Sequence, residues 1–347
     1  MAEKFCISDE AKKFYIPTYE SLRKLALKIY VEPTKVPKSI YKQGKERISI
    51  MRYLIKCERI YSLLAGNLGR VARLPKTNTM PKFYAEIIRL SVGDYYDETI
   101  AKAVKSVKIL TKLWREYRKI ILASSTKYEA KRYAQEFVGR ALSVTKRALR
   151  YANRASEAIK LLKESPCIDE SLPIIIVAGM PQVGKSTLVS KVSTAKPEIS
   201  PFPFTTKKVI LGHGTINTTY YQVIDTPGIL DRPFNEMNQI ERKAIAVLRS
   251  LSAPIIFLID PTSDSYYALD SQIAVLKDVM TIRDIRYILP TINKMDKAHE
   301  NELRKAKNTI KSLGFQEVFI ISALKSVGVW NLIRKAIELS FEMRKFT

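Results

Sequence analysis

Residues 174–178, Ile-Ile-Ile-Val-Ala, run without a break into Gly179-Met-Pro-Gln-Val-Gly-Lys-Ser186. Five consecutive apolar residues are the pattern of a parallel strand buried on both faces. The G-x-x-x-x-G-K-S that follows works only between a strand and a helix, where glycine lets backbone N–H groups wrap an anion at the helix N-terminus. Few folds meet both demands. Further short apolar runs follow at 207–211, 220–224, 255–259, 287–292 and 318–321. Helical spacing at about 185–194, 236–251, 266–281, 298–313 and 329–343 separates most of them. The alternation implies an α/β P-loop domain with a doubly wound, mostly parallel sheet, which binds ligands beyond the carboxyl ends of its strands.

Four motifs stand at such ends. In the first, Gly179, Pro181, Gln182, Val183, Gly184, Lys185, Ser186 and Thr187 form a phosphate cradle. Lys185 is expected on the β- and γ-phosphates and Ser186 on Mg²⁺. The second, Asp225-Thr-Pro-Gly228, ends an apolar run 39 residues after Ser186. Asp225 would hold Mg²⁺ through a water, and the Gly228 amide would meet the γ-phosphate, so that loss of that phosphate releases the loop. Alone, this tetrapeptide is equally a plain turn.

The third motif is Asn293-Lys-Met-Asp296, and the fourth is Ser322-Ala323 followed by Leu324. The Asp296 carboxylate can accept from guanine N1–H and the 2-amino group together, whereas adenine would leave it unpaired. Asn293 would hold the loop, the Lys294 stem would cover the base, and the Ala323 N–H would reach guanine O6. In a chain with 59 Lys and Arg, N-K-x-D is weak by itself. Four motifs in this order specify a site for GTP or GDP with Mg²⁺.

Before Pro166 the pattern is helical. Ile100, Val104, Val107, Leu110, Trp114, Tyr117 and Ile121 recur at the spacing of one buried stripe. Lys102, Lys105, Lys108, Lys112, Arg115 and Lys119 mark another face of the same helix. A helix over about 128–162 repeats the design, with Arg140, Arg147, Arg150 and Arg154 aligned away from its core side. Shorter helices are expected at 18–30, 40–65 and 82–92, with a loop at 75–81. The domains expected are an all-α bundle over 1–165 and a P-loop domain over 166–347.

The net charge is +25, and residues 1–170 carry 36 basic and 18 acidic residues against 23 and 16 in the remainder. Such a field selects a polyanion, nucleic acid or an anionic membrane surface, although each stripe alone is also compatible with a solvated helix face. Cys6, Cys57 and Cys167 lack paired spacing, so neither a disulfide nor a zinc site is expected. The start, MAEKFCISDE, has no apolar core of a signal peptide, and no apolar run is long enough to span a bilayer. A cytoplasmic protein without a membrane partner is expected.

Pro203-Phe-Thr-Thr-Lys207, Gln222-Val-Ile and Asp225-Thr-Pro-Gly-Ile-Leu-Asp-Arg-Pro233 resemble the nucleolar GTP-binding (Nog-type) family of Obg-related GTPases. Met80-Pro-Lys-Phe-Tyr84 and Pro166-Cys-Ile-Asp169 extend the likeness upstream, and the missing C-terminal extension suits a compact archaeal-type member. The resemblance implies a GTPase of large ribosomal subunit assembly, monomeric off the ribosome, with rRNA and ribosomal proteins as partners. It also implies that Thr206 contacts Mg²⁺ and the γ-phosphate, joining Lys185 and Gly228 in catalysis. Two departures matter. Gln182 replaces the usual Asn, which weakens the case for potassium activation, and Ile229 cannot orient a water where Ras-like proteins carry Gln, so intrinsic hydrolysis should be slow. The competing readings are a GTPase of RNA modification, for which no catalytic constellation is visible, and a membrane-surface GTPase.

Overall fold

The computed structural model describes residues 6–194 and 197–345, so the first five residues of the chain start discussed above lie outside it. Seven helices come first: α1 (Ile7–Ala11), α2 (Tyr19–Val31), α3 (Lys45–Ala72), α4 (Lys82–Val92), α5 (Tyr95–Ala123), α6 (Lys127–Ala148) and α7 (Ala152–Glu164). The remainder is β1 (Ile174–Ala178), α8 (Lys185–Val192), β2 (Glu198–Pro201), β3 (Lys208–Ile216), β4 (Thr219–Asp225), α9 (Gln239–Ser250) and β5 (Ile255–Ile259), then α10 (Leu269–Ile282), β6 (Ile288–Ile292), α11 (Glu300–Lys311), β7 (Phe319–Ile320) and α12 (Val329–Lys345).

The strands form one sheet in the order β2-β3-β4-β1-β5-β6-β7. From β4 to β7 every pairing is parallel, while β2 and β3 extend the sheet antiparallel. Strands β1, β5 and β6 are buried at every position, as continuous apolar runs require. The parallel α/β class expected from sequence is therefore the fold present, preceded by a helical bundle.

Two compact units share the chain. The helical unit comprises 11–80 and 88–160, and the other unit joins 161–345 to residues 6–10 and 81–87. The division thus falls inside α4 and α7 rather than at a single cut between 165 and 166.

In the helical unit, α3, α5 and α6 pack together around Leu64, Leu68, Leu110, Trp114 and Phe137. The expected helix 128–162 is broken: α6 stops at Ala148, and a turn in which the Ala152 N–H donates to Leu149 O starts α7. No proline or glycine signals that break. Val104 belongs outside the core stripe of α5, where Ala103 and Ser106 are buried instead. Gly44, at φ +89°, separates α3 from a 3₁₀ turn at Lys38–Gln43, so the helix expected at 40–65 begins later and ends later.

In the second unit Cys6 and Cys167 are paired sulfur to sulfur as a disulfide with Cα atoms 5.5 Å apart. This corrects the expectation of three independent thiols. A separation of 161 residues carries no spacing signal, and only folding brings the two together.

Candidate nucleotide-binding site and basic face

Strand β1 delivers Gly179 and α8 begins at Lys185, with Gly184 as its N-cap at φ +102°. A Cβ on Gly184 would lie 2.3 Å from Asn293 Nδ2, so close approach of the two loops requires glycine there. Gln182 also takes a left-handed backbone, at φ +65°. Lys185 is buried and donates to Gly179 O at 2.8 Å and Met180 O at 2.9 Å. Burial pushes its pKa down, and the charges of Asp225 and Asp231 oppose that shift. Val183 is buried, Pro181 half-buried, and Gln182 and Thr187 are exposed.

Asp225 ends β4 and is fully buried. Its Oδ2 accepts from Ser186 Oγ at 2.8 Å, while Oδ1 has no partner among the described residues. Burial pushes this carboxyl upward, and the Ser186 hydrogen bond and Lys185 pull it back. An orphaned buried carboxylate oxygen beside a hydroxyl is a hard oxygen donor set of the kind that suits Mg²⁺.

Thr206 is exposed and has no hydrogen bond or ion pair among the described residues, so it is not joined to Ser186 and Asp225 here. Thr205 instead accepts from the Lys207 N–H at 3.0 Å. The two segments expected to act as switches do meet, because a Cβ on Gly228 would come within 2.7 Å of the Lys207 side chain. Ile229 is buried, and Leu230 O accepts from the Gly179 N–H at 3.2 Å. The Gly228 N–H donates to Asp231 Oδ2 at 2.7 Å.

At the base end, buried Asn293 donates from Nδ2 to Val183 O at 2.8 Å and accepts at Oδ1 from the Ala323 N–H at 2.9 Å. One side chain therefore ties the phosphate loop to the last motif. The Ala323 amide expected on guanine O6 is engaged by Asn293 in this structure. Ser322 Oγ donates to Asp296 Oδ1 at 2.6 Å and holds that carboxyl below its ordinary range. Lys294, at φ +59°, pairs with the Asp260 carboxylate, and Leu324 is exposed beside the loop. Asp260 was missed from sequence, as was Gln272, which braces it from α10 by accepting its N–H and donating to its carbonyl, both at 2.8 Å. The available signal was an Asp ending the apolar run 255–259.

In the helical unit, Lys105, Lys108, Lys112, Arg115, Lys119, Arg140, Arg147, Arg150 and Arg154 are all exposed, and Lys102 is half-exposed in an ion pair with Glu98. Folding gathers members of both stripes around two adjacent, mutually tilted rings. Tyr95 and Tyr151 lie 4.5 Å apart, with Lys102 and Arg150 over Tyr151 and Arg154 over Tyr95 at 4.4 Å. Arg140 lies over Tyr117. Cation–π contact orients these groups without neutralising them.

Residues 34–169 match the family model described as NOG1 N-terminal helical domain, and residues 174–294 match that described as 50S ribosome-binding GTPase. An uncharacterized protein of Methanocaldococcus jannaschii is 34% identical over 252 residues, covering 72% of this chain and 70% of that protein. The chain belongs to the Nog-type family of nucleolar GTP-binding proteins. Nucleolar GTP-binding protein 1 of Drosophila melanogaster is 26% identical over 269 residues, 76% of this chain but 41% of the fly protein. The Nog-type chain therefore spans less than half the length of that relative. A crystal structure described as nucleolar GTP-binding protein 1 of Plasmodium falciparum is 27% identical, covers 52% of this chain and 92% of its own, and has a TM-score of 0.45.

Several residues that carried the Nog-type resemblance serve packing. Tyr84 Oη donates to Pro166 O and accepts from the Ile168 N–H, each at 3.0 Å. Gln222 accepts from the Asp169 N–H at 2.9 Å and meets His213 at 3.1 Å. Phe83 and Phe202, both fully buried, lie tilted against each other with centroids 6.0 Å apart, so the segment leading to the expected first switch rests on the start of α4.

Proposed function

We propose that this chain is a GTP-binding and GTP-hydrolysing switch acting in assembly of the large ribosomal subunit, with its basic helical unit on rRNA. The observation that carries the reading is the paired hydrogen bonding of Asn293, which joins Val183 to Ala323 and so supports reading residues 179–187 and 293–296 as the phosphate and guanine ends of one site. The match to a family described as 50S ribosome-binding GTPase supplies the ribosomal direction.

On binding GTP, Lys185 would turn from the Gly179 and Met180 carbonyls to the β- and γ-phosphates. Ser186, Asp225 and, once its segment closes, Thr206 would hold Mg²⁺, which neutralises phosphate charge. Asp296 would accept from the guanine edge while Lys294, anchored by Asp260, covers the ring. Ile229 is buried and apolar and cannot position a water, so turnover is slow until a ribosomal partner supplies what is missing. The helical unit would bind rRNA by phosphate neutralisation with little base readout.

Two measurements test this. Asp296→Asn should shift preference from guanosine toward xanthosine nucleotides; an unchanged ratio refutes the base-reading role. Co-sedimentation with large subunits and with anionic liposomes, in GTP-analogue and GDP states across a salt series, separates the partners. Nucleotide-dependent pelleting with subunits is expected, and pelleting with liposomes alone would establish the membrane-surface alternative. Among the described residues no helix is long and apolar enough to cross a membrane.

A further inference from the structure

The N–H that would meet a γ-phosphate, that of Gly228, is already satisfied. It donates to Asp231 Oδ2 at 2.7 Å. Asp231 is half-buried, and its charge acts on both Lys185 and Asp225. The neighbouring Arg232 pairs with Glu241. A backbone amide and an ammonium, the two groups expected to bind a γ-phosphate, thus both sense one internal carboxylate. An anionic oxygen accepting an amide N–H is close in charge and geometry to a phosphate oxygen in the same place.

The contact is also mechanically connected. Leu230, next to Asp231, accepts from Gly179 of the phosphate cradle. The Lys207 stem lies against Gly228. A change of partner at the Gly228 amide must therefore be accommodated in both switch segments.

We propose that Asp231 is a specificity-determining residue that discriminates against the triphosphate. Its carboxylate holds the Gly228 amide when the site is empty or carries GDP, and GTP engages that amide only by displacing it. GDP leaves the internal hydrogen bond intact. GTP must break it and bring a γ-phosphate beside a carboxylate of the same sign, at a cost that grows in a partly desolvated site. The inference rests on the assignment of Lys185 and Gly228 to the γ-phosphate.

The test is displacement of a fluorescent guanine nucleotide by GDP and by a non-hydrolysable GTP analogue, with Mg²⁺, for wild type, Asp231→Asn and Asp231→Ala. Both variants should bind the analogue more tightly relative to GDP by about tenfold, the scale of one charge-assisted hydrogen bond. GDP affinity should stay within about twofold, which also shows that the variants fold. An unchanged ratio, or selective loss of analogue binding, overturns the proposal; the second result would make Asp231 a helper of the triphosphate. If wild type binds neither nucleotide, the nucleotide-site reading itself falls and this inference with it.

Discussion

Asn293 is the residue on which both ends of the site depend, because its two amide functions are spent on different loops. Asn293→Ala would leave Val183 O and the Ala323 N–H unpaired in a buried place, at about 1–3 kcal/mol for each group. We expect a drop in urea stability on that scale together with at least tenfold weaker GDP binding; retention of either would show that the loops hold themselves. Asp296 gives a pH-dependent test. Its folded pKa is depressed from 3.8, first by the Ser322 hydroxyl. Its ionised form is therefore stabilised fully above the unfolded value, and that stabilisation is lost as pH falls through the folded one. Ser322→Ala should move the acid loss of guanine binding to higher pH, followed as GDP affinity below about pH 6; coincident titrations would remove Ser322 from that role. The motif residues were legible because phosphate and base chemistry restrict residue type. Asp260 and Asp231 were not, since their partners Lys294 and Gly228 lie on other loops or offer only a backbone amide.

At the scale of elements, the strands of the parallel sheet were plain from their apolar runs, because burial on both faces leaves no alternation to misread. The exposed edge strand β2 went unseen for the complementary reason: Glu198-Ile-Ser-Pro201 has three of its four residues exposed and carries no such run. The break between α6 and α7 was also hidden, since the core spacing continues through Tyr151 and Ala155 while the backbone turns. Helix α4 looked from sequence like one more bundle helix. Its first turns instead belong with the nucleotide-binding unit, where Phe83 meets Phe202. Phe83→Ala should cost about 3–5 kcal/mol in denaturant unfolding and loosen the segment leading to Thr206, seen as faster amide exchange at 203–207. Unchanged exchange there would confine the contact to stability.

For the whole molecule, the interleaving of the two units predicts that residues 166–347 alone are not an autonomous GTPase domain. Such a fragment loses Phe83 and Tyr84, leaving Phe202 uncovered and the Pro166 carbonyl and Ile168 amide without the Tyr84 hydroxyl that joins them. It should melt well below the full chain, and equal melting temperatures would contradict this. The basic face predicts that Arg150→Ala with Arg154→Ala lowers the slope of log affinity for rRNA against log salt by about 1.4–1.8, with loss across all RNA sequences tested alike. A slope that does not change would return these arginines to the role of solvated, tyrosine-braced surface. The amino-acid sequence by itself determined the parallel α/β class, the four motifs and the basic helical half, because each follows from local pattern: burial, residue chemistry or charge. Only the tertiary structure decided which elements sit together. It set the motif-bearing strands in the order β4, β1, β5, β6, β7, brought Cys6 to Cys167 and seated Phe83 against Phe202 ahead of the first switch. Those are contacts between residues whose separation along the chain carries no chemical signal.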